Sequence, residues 1–166
     1  MSVILQLARY LPSIRKPDRS LSFREKIMWT LVTLLLYFLM SEVYIFGADP
    51  QQITQFQTFQ TILGSSIGTL ITLGIGPIVS ASIILQLLTG ADIIPWNLNS
   101  QEGKAKFQDT QKLLSYAFAL FQSIAFVAMG AISPAISGPA GIAIVAAQLT
   151  IGGWFIIMMD EVISKW

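Results

Sequence analysis

The chain has no cysteine and no histidine among its 166 residues. The first absence excludes disulfides and thiolate metal sites, and the second excludes imidazole ligands and imidazole acid–base chemistry. Charge is also scarce. Asp, Glu, Lys and Arg together make up 11% of the chain, against about 25% in an ordinary globular domain that must face water. What charge there is clusters, leaving none between Lys26 and Glu42, between Asp49 and Asp92, or between Lys112 and Asp160. The remainder is 54% apolar, and uncharged apolar stretches of roughly 18 residues or more read as membrane-spanning helices. Basic residues continue to Lys26, and the apolar stretch after it is of full span length, which is not the pattern of a cleavable signal peptide.

The pattern predicts an all-α membrane protein with spans over 27–46, 69–90, 113–132 and 141–159, each near the 20 or so residues that cross a bilayer core. A segment over 1–26 precedes them, and the membrane domain occupies 27–166. Lys and Arg set the orientation. Arg9, Arg15, Lys16, Arg19, Arg24 and Lys26 precede the first span; Lys104, Lys106 and Lys112 lie between the second and third; Lys165 follows the fourth. The connections at 47–66 and 133–140 carry none, so four spans put every basic residue on one side, with both termini cytoplasmic. Within the first segment Val3, Ile4, Leu7 and Leu11 are spaced as on a short amphipathic helix lying at the membrane surface.

One stretch resists a simple span. The 42 residues between Asp49 and Asp92 are uncharged, about 63 Å of continuous helix, yet the charge pattern permits a single crossing. A break is expected at Gly74, Gly76 and Pro77, residues that disfavour an uninterrupted helix. Upstream, residues 50–66 carry Gln51, Gln52, Gln55, Gln57 and Gln60, while Ile53, Phe56, Phe59, Ile62 and Leu63 keep helical spacing. A half-polar helix of this kind suits a segment that enters without crossing, and polar backbone at membrane depth is tolerated only inside protein or beside a water-filled cavity. A helix lying flat on the outer surface fits the same residues. Below the break, Ile75 and Val79 stack at i, i+4, with Ser80, Ile84 and Leu87 on an adjacent face. Aliphatic side chains facing a cavity form a constriction that dewets and blocks ions; the same residues would equally suit lipid or a neighbouring helix.

The stretch GTLITLGIGPIVSASIILQLLTG, residues 68–90, resembles the second membrane segment of the SecY family, the alpha subunit of the Sec protein translocon. KPDRSLSFREKIMWT (16–30), FQDTQKLL (107–114) and DEVISKW (160–166) resemble further family segments in family order, in a style closer to archaeal than to bacterial members. The resemblance implies the N-terminal portion of a ten-helix protein-conducting channel of hourglass shape. Ile75 and Val79 fall at positions similar to its constriction ring. A re-entrant plug helix is implied at about 53–66, with Ile53, Phe56, Phe59, Ile62 and Leu63. Ser80, Ile84, Leu87 and Gln122 fall at positions similar to the lateral gate, through which signal sequences and hydrophobic segments reach lipid. The implied partners are SecE/gamma-type and beta-type small membrane subunits, a ribosome or other cytosolic driving partner, signal sequences and nascent chains, and the bilayer of the cell membrane. No cofactor, metal, catalytic residue or sequence-specific nucleic-acid contact is implied. With four spans in place of about ten, the chain is expected to be a piece of a longer subunit.

Three other readings compete for the same residues. A secondary transporter also uses broken helices, but coupled transport relies on ionisable groups inside the membrane, and here only Glu42 comes near. A structural helix-packing subunit would use the small residues Ala143, Ala146, Ala147, Gly152 and Gly153 of the fourth span. An intramembrane enzyme lacks a credible acid–base pair, since Asp160 and Glu161 stand beside Lys165.

Overall fold

A computed structural model describes residues 14, 17, 19, 21–48, 61–62, 66–136 and 138–165. Four helices follow in order: α1 (Phe23–Glu42), α2 (Gly76–Gly90), α3 (Gln101–Ala128) and α4 (Pro139–Lys165). Among the described residues, α3 and α4 are the helices long and apolar enough to cross a membrane. In α1 the uncharged run lies between Lys26 and Glu42, and α2 is only 15 residues long. The expected surface helix over Val3–Leu11 lies outside the described residues.

Each helix start has a local cause. Ser22 caps α1 in a capping box: the Glu25 amide donates to Ser22 Oγ (3.4 Å) and the Ser22 amide to Glu25 Oε2 (2.9 Å), satisfying two otherwise orphaned donors. Ser100 caps α3 by accepting from the Gly103 amide at 3.0 Å. Pro139 opens α4 and Pro77 sits in the first turn of α2, positions where proline's missing N–H costs nothing.

The core lies where α3 and α4 pack on each other and on the stretch leading into α2. One cluster gathers Ile45, Ile67, Val127, Ile132, Val145 and Leu149; a second gathers Leu73, Tyr116, Ala119 and Ile157. Between α3 and α4, Ser123 Oγ and Thr150 Oγ1 meet at 2.6 Å, and each also lies within hydrogen-bond distance of a carbonyl of its own helix, so one hydroxyl donates across the contact while the other donates to its own backbone. Small residues on α4 allow close approach, but by a narrower face than the sequence suggested. Ala146, Gly152 and Gly153 are buried, whereas Ala143 and Ala147 are exposed. α1 buries only Thr33. Most of its apolar surface, from Phe23 through Leu31 to Leu39, is exposed, with Trp29 and Tyr37 half-buried.

Candidate functional site

The stretch 66–75 is a chain of turns, not helix, so of residues 69–90 only Gly76–Gly90 are helical. Threonine hydroxyls account for much of this. Thr69 Oγ1 donates to the Ser66 carbonyl (2.7 Å), Thr72 Oγ1 to the Thr69 carbonyl (2.6 Å), and Thr72 Oγ1 accepts from the Gly68 amide (3.1 Å). Such local side-chain bonds compete with the helical ladder. Gly68 at φ 92° and Gly74 at φ 53° take backbone shapes that a residue with a Cβ adopts only at a cost. The expected interruption thus spans ten residues upstream of the helix, with Gly74 at its end, while Gly76 and Pro77 belong to the first turn of α2.

The turn-rich stretch is buried and held from two sides. Residues 43–45 run past it before the chain turns at Phe46 and Gly47: the Ile45 amide donates to the Gly68 carbonyl (2.9 Å) and the Leu70 amide to the Val43 carbonyl (3.0 Å), pairing Tyr44 with Thr69 in antiparallel fashion. Behind it stands α4. Gln148 clamps the Phe46 backbone, its Nε2 donating to the carbonyl and its Oε1 accepting from the amide, both at 3.0 Å. A Cβ at Gly152 would sit 1.9 Å from the Leu70 carbonyl oxygen, so the α4 backbone touches the stretch directly.

α2 then presents two faces. Gly76, Pro77, Ala81 and Leu85 are buried. Ile75 and Val79 are 46% and 43% exposed, and Ile83 continues their row. On the flank, Ile84 and Leu87 are exposed, and Ser80 receives a hydrogen bond from Gln122 Nε2 of α3 at 3.2 Å. The polar pair that the sequence put on separate segments is therefore one contact. Farther along, Gln86 Nε2 donates to Ser82 Oγ at 3.0 Å. The row from Ile75 to Ile83 is aliphatic and uncharged, able to exclude water without binding an ion. Ile62 is 70% exposed; Ile53, Phe56, Phe59 and Leu63 lie outside the described residues.

A second polar cluster gathers at the far ends of α3 and α4. Glu161, 9% exposed, accepts from Lys112 Nζ at 2.9 and 3.0 Å, from Lys165 Nζ, and from the Ile14 amide at 3.2 Å. Lys165 also donates to the Ile14 carbonyl at 2.7 Å. Beside it opens a cavity of about 380 Å³ whose lining includes Asp109, Ser115 and Asp160. Sequence spacing signalled the i, i+4 pair of Glu161 with Lys165, but nothing in it signalled Lys112 or Ile14. Gln148, Thr69 and Thr72 were likewise missed, though a threonine pair three residues apart before a glycine is a turn signal. Among the described residues, no group of three or more carboxylates is placed to hold a metal ion.

The comparisons with known proteins agree on the chain's relatives. The family model for SecY matches residues 69–166, and that for the plug domain of Sec61p matches residues 35–68. The protein translocase subunit SecY of Methanothermobacter thermautotrophicus is 45% identical over 156 residues, covering 94% of this chain and 34% of that subunit. A solved chain described as the structure of a protein conducting channel superposes with a TM-score of 0.85 at 38% identity, covering 98% of this chain and 37% of that one. Sec61 in the canine ribosome-channel complex from the endoplasmic reticulum gives the same TM-score of 0.85 at 38% identity, over 98% of this chain and 37% of its own. The chain thus spans about a third of the length of these relatives.

Proposed function

The chain belongs to the SecY family, and we propose that it is the N-terminal part of the central subunit of a protein-conducting channel, passing unfolded polypeptides across a membrane and releasing hydrophobic segments into it. The observation that carries the reading is the row of Ile75, Val79 and Ile83, left open on α2 while the opposite face packs into the molecule. An aliphatic ring at a pore's waist seals against ions because water leaves a narrow apolar throat, yet it yields to a polypeptide because it binds nothing tightly. Such a conduit makes and breaks no covalent bond. The absence of any charge on that row favours it over coupled transport, which works through ionisable groups.

In this reading four spans cross the bilayer, with both termini cytoplasmic and a basic, amphipathic helix on the cytoplasmic surface. The remaining spans of a ten-helix fold complete the ring. Residues at about 53–66 form the plug. The flank carrying Ser80, Ile84 and Leu87, with Gln122 bonded across to Ser80, forms one wall of the lateral gate. The partners are gamma- and beta-type small membrane subunits, a ribosome or other cytosolic motor, and nascent chains bearing signal sequences. The test replaces Ile75 or Val79 with asparagine in the complete subunit and measures single-channel conductance in planar bilayers. The resting ion leak should rise in both variants; an unchanged leak in both removes the constriction assignment.

A further inference from the structure

The height of Ile75 and Val79 in the channel depends on the chain that leads into α2, and that chain carries no helical ladder of its own. Its position is set from outside, chiefly by α4. Gln148 grips the Phe46 backbone with two hydrogen bonds of 3.0 Å. The neighbouring Ile45 amide holds the Gly68 carbonyl, and the Val43 carbonyl holds the Leu70 amide. One turn farther along α4, Gly152 lies directly against the Leu70 carbonyl and Gly153 against the Leu73 side chain. Leu73 then closes a turn onto the Gly76 amide at 3.2 Å, where α2 begins. A continuous path of contacts thus runs from α4 to the start of α2 without involving the side chains of Ile75 or Val79.

We propose that Gln148 and Gly152 are positioning residues that set the register of the constriction, so that the seal formed by Ile75 and Val79 depends on α4. The proposal rests on the constriction reading above. A glutamine side chain carries an accepting oxygen and an NH2 group with two donors, so Gln148 can pair with the Phe46 backbone as a strand neighbour would while its Nε2 also reaches the Ile144 carbonyl of its own helix at 3.3 Å. No other standard side chain of that length does both. At Gly152 the fit is steric: any side chain would drive into a carbonyl, so the stretch must move away from α4 and carry Ile75 with it.

The test uses the complete subunit assembled with its partners in planar bilayers, with a cysteine at Val79 as a second probe. Gln148→Leu removes both bonds, and the resting ion leak should rise about tenfold, the scale of two lost hydrogen bonds of ordinary net strength. Gln148→Glu keeps an acceptor for the Phe46 amide but turns a carboxylate oxygen onto the Phe46 and Ile144 carbonyls, and should raise the leak at least as much. Gly152→Ala should raise the leak at least as much as Gln148→Leu and change the rate at which the cysteine reacts with a water-soluble thiol reagent. A merely structural role would lower the melting temperature in proportion to the leak. Positioning instead predicts a raised leak in both Gln148 variants that does not follow melting temperature. If Gly152→Ala fails to accumulate, the two Gln148 variants decide. Leak and reactivity within twofold of wild type in every α4 variant, while Val79→Asn still leaks, would overturn the positioning role alone. An unchanged leak in Val79→Asn and Ile75→Asn overturns the constriction reading beneath it.

Discussion

At the residue scale, the buried charge among the described residues gathers at one junction. Glu161 is buried and bound by two lysines and a backbone amide, which is how a low-dielectric site keeps a carboxylate ionised. Removing one partner of such a pair strands the other. Glu161→Ala should cost about 3–5 kcal/mol by leaving Lys112 uncompensated, whereas replacing Glu161 and Lys112 together with leucine and methionine should recover most of it. Thermal unfolding of the detergent-solubilised subunit would read both, and equal losses in the single and double variants would reject the pairing as the cause. The sequence made half of this junction legible. Lys165 stands four residues from Glu161, so helical spacing joins them. Lys112 is 49 positions away, and only the packing of α3 against α4 brings it there. Gln148 and Phe46, 102 positions apart, are the same case: an amide has no charge to advertise a partner.

At the element scale, the α3–α4 contact rests on small residues and one hydroxyl pair. Ser123 and Thr150 meet at 2.6 Å but also bond their own helices, so each keeps a partner when the other is lost. Interhelical hydrogen bonds of this kind average about 0.6 kcal/mol in membranes. A double-mutant cycle on Ser123→Ala and Thr150→Ala should therefore give a coupling of about 0.6 kcal/mol, below about 1.7, measured by chemical unfolding in mixed micelles. A coupling near zero would mean that the two hydroxyls sit together without holding the helices. The element least legible in the sequence was the entry to α2. Hydropathy does not register that Thr69 and Thr72 can satisfy the backbone in turns, so only residues 76–90 of the apolar stretch 69–90 are helical. The Gly74–Pro77 signal marked the right place, but it marks where the helix begins, since proline fits a first turn better than a kink. On α2 itself the periodicity served well: the i, i+4 pair Ile75 and Val79 lies on the open face, because a helix's two faces are written directly into its spacing.

At the scale of the whole molecule, the distribution of lysine and arginine carries information that the fold of this chain does not. Helix packing fixes which elements touch, while orientation depends on which loops resist crossing the bilayer. Two connections differ sharply in this respect. The one between α2 and α3 leads into the first turns of α3, which carry Lys104 and Lys106, whereas the one between α3 and α4 has no basic residue in it or in the helix turns beside it. They lie at opposite ends of α3, a helix of 28 residues, about 42 Å long at 1.5 Å per residue, enough to span a membrane and project beyond it. Single cysteines at Lys104 and Ser133, in an otherwise cysteine-free chain, turn this into a direct test. In sealed right-side-out vesicles a membrane-impermeant thiol reagent should label Ser133→Cys at once and Lys104→Cys only after permeabilisation. Inverted vesicles should reverse the order. Labelling of both positions from the same side would remove α3 as a crossing helix. Labelling in the opposite sense would turn the proposed arrangement over, placing the basic N-terminal segment on the outer side.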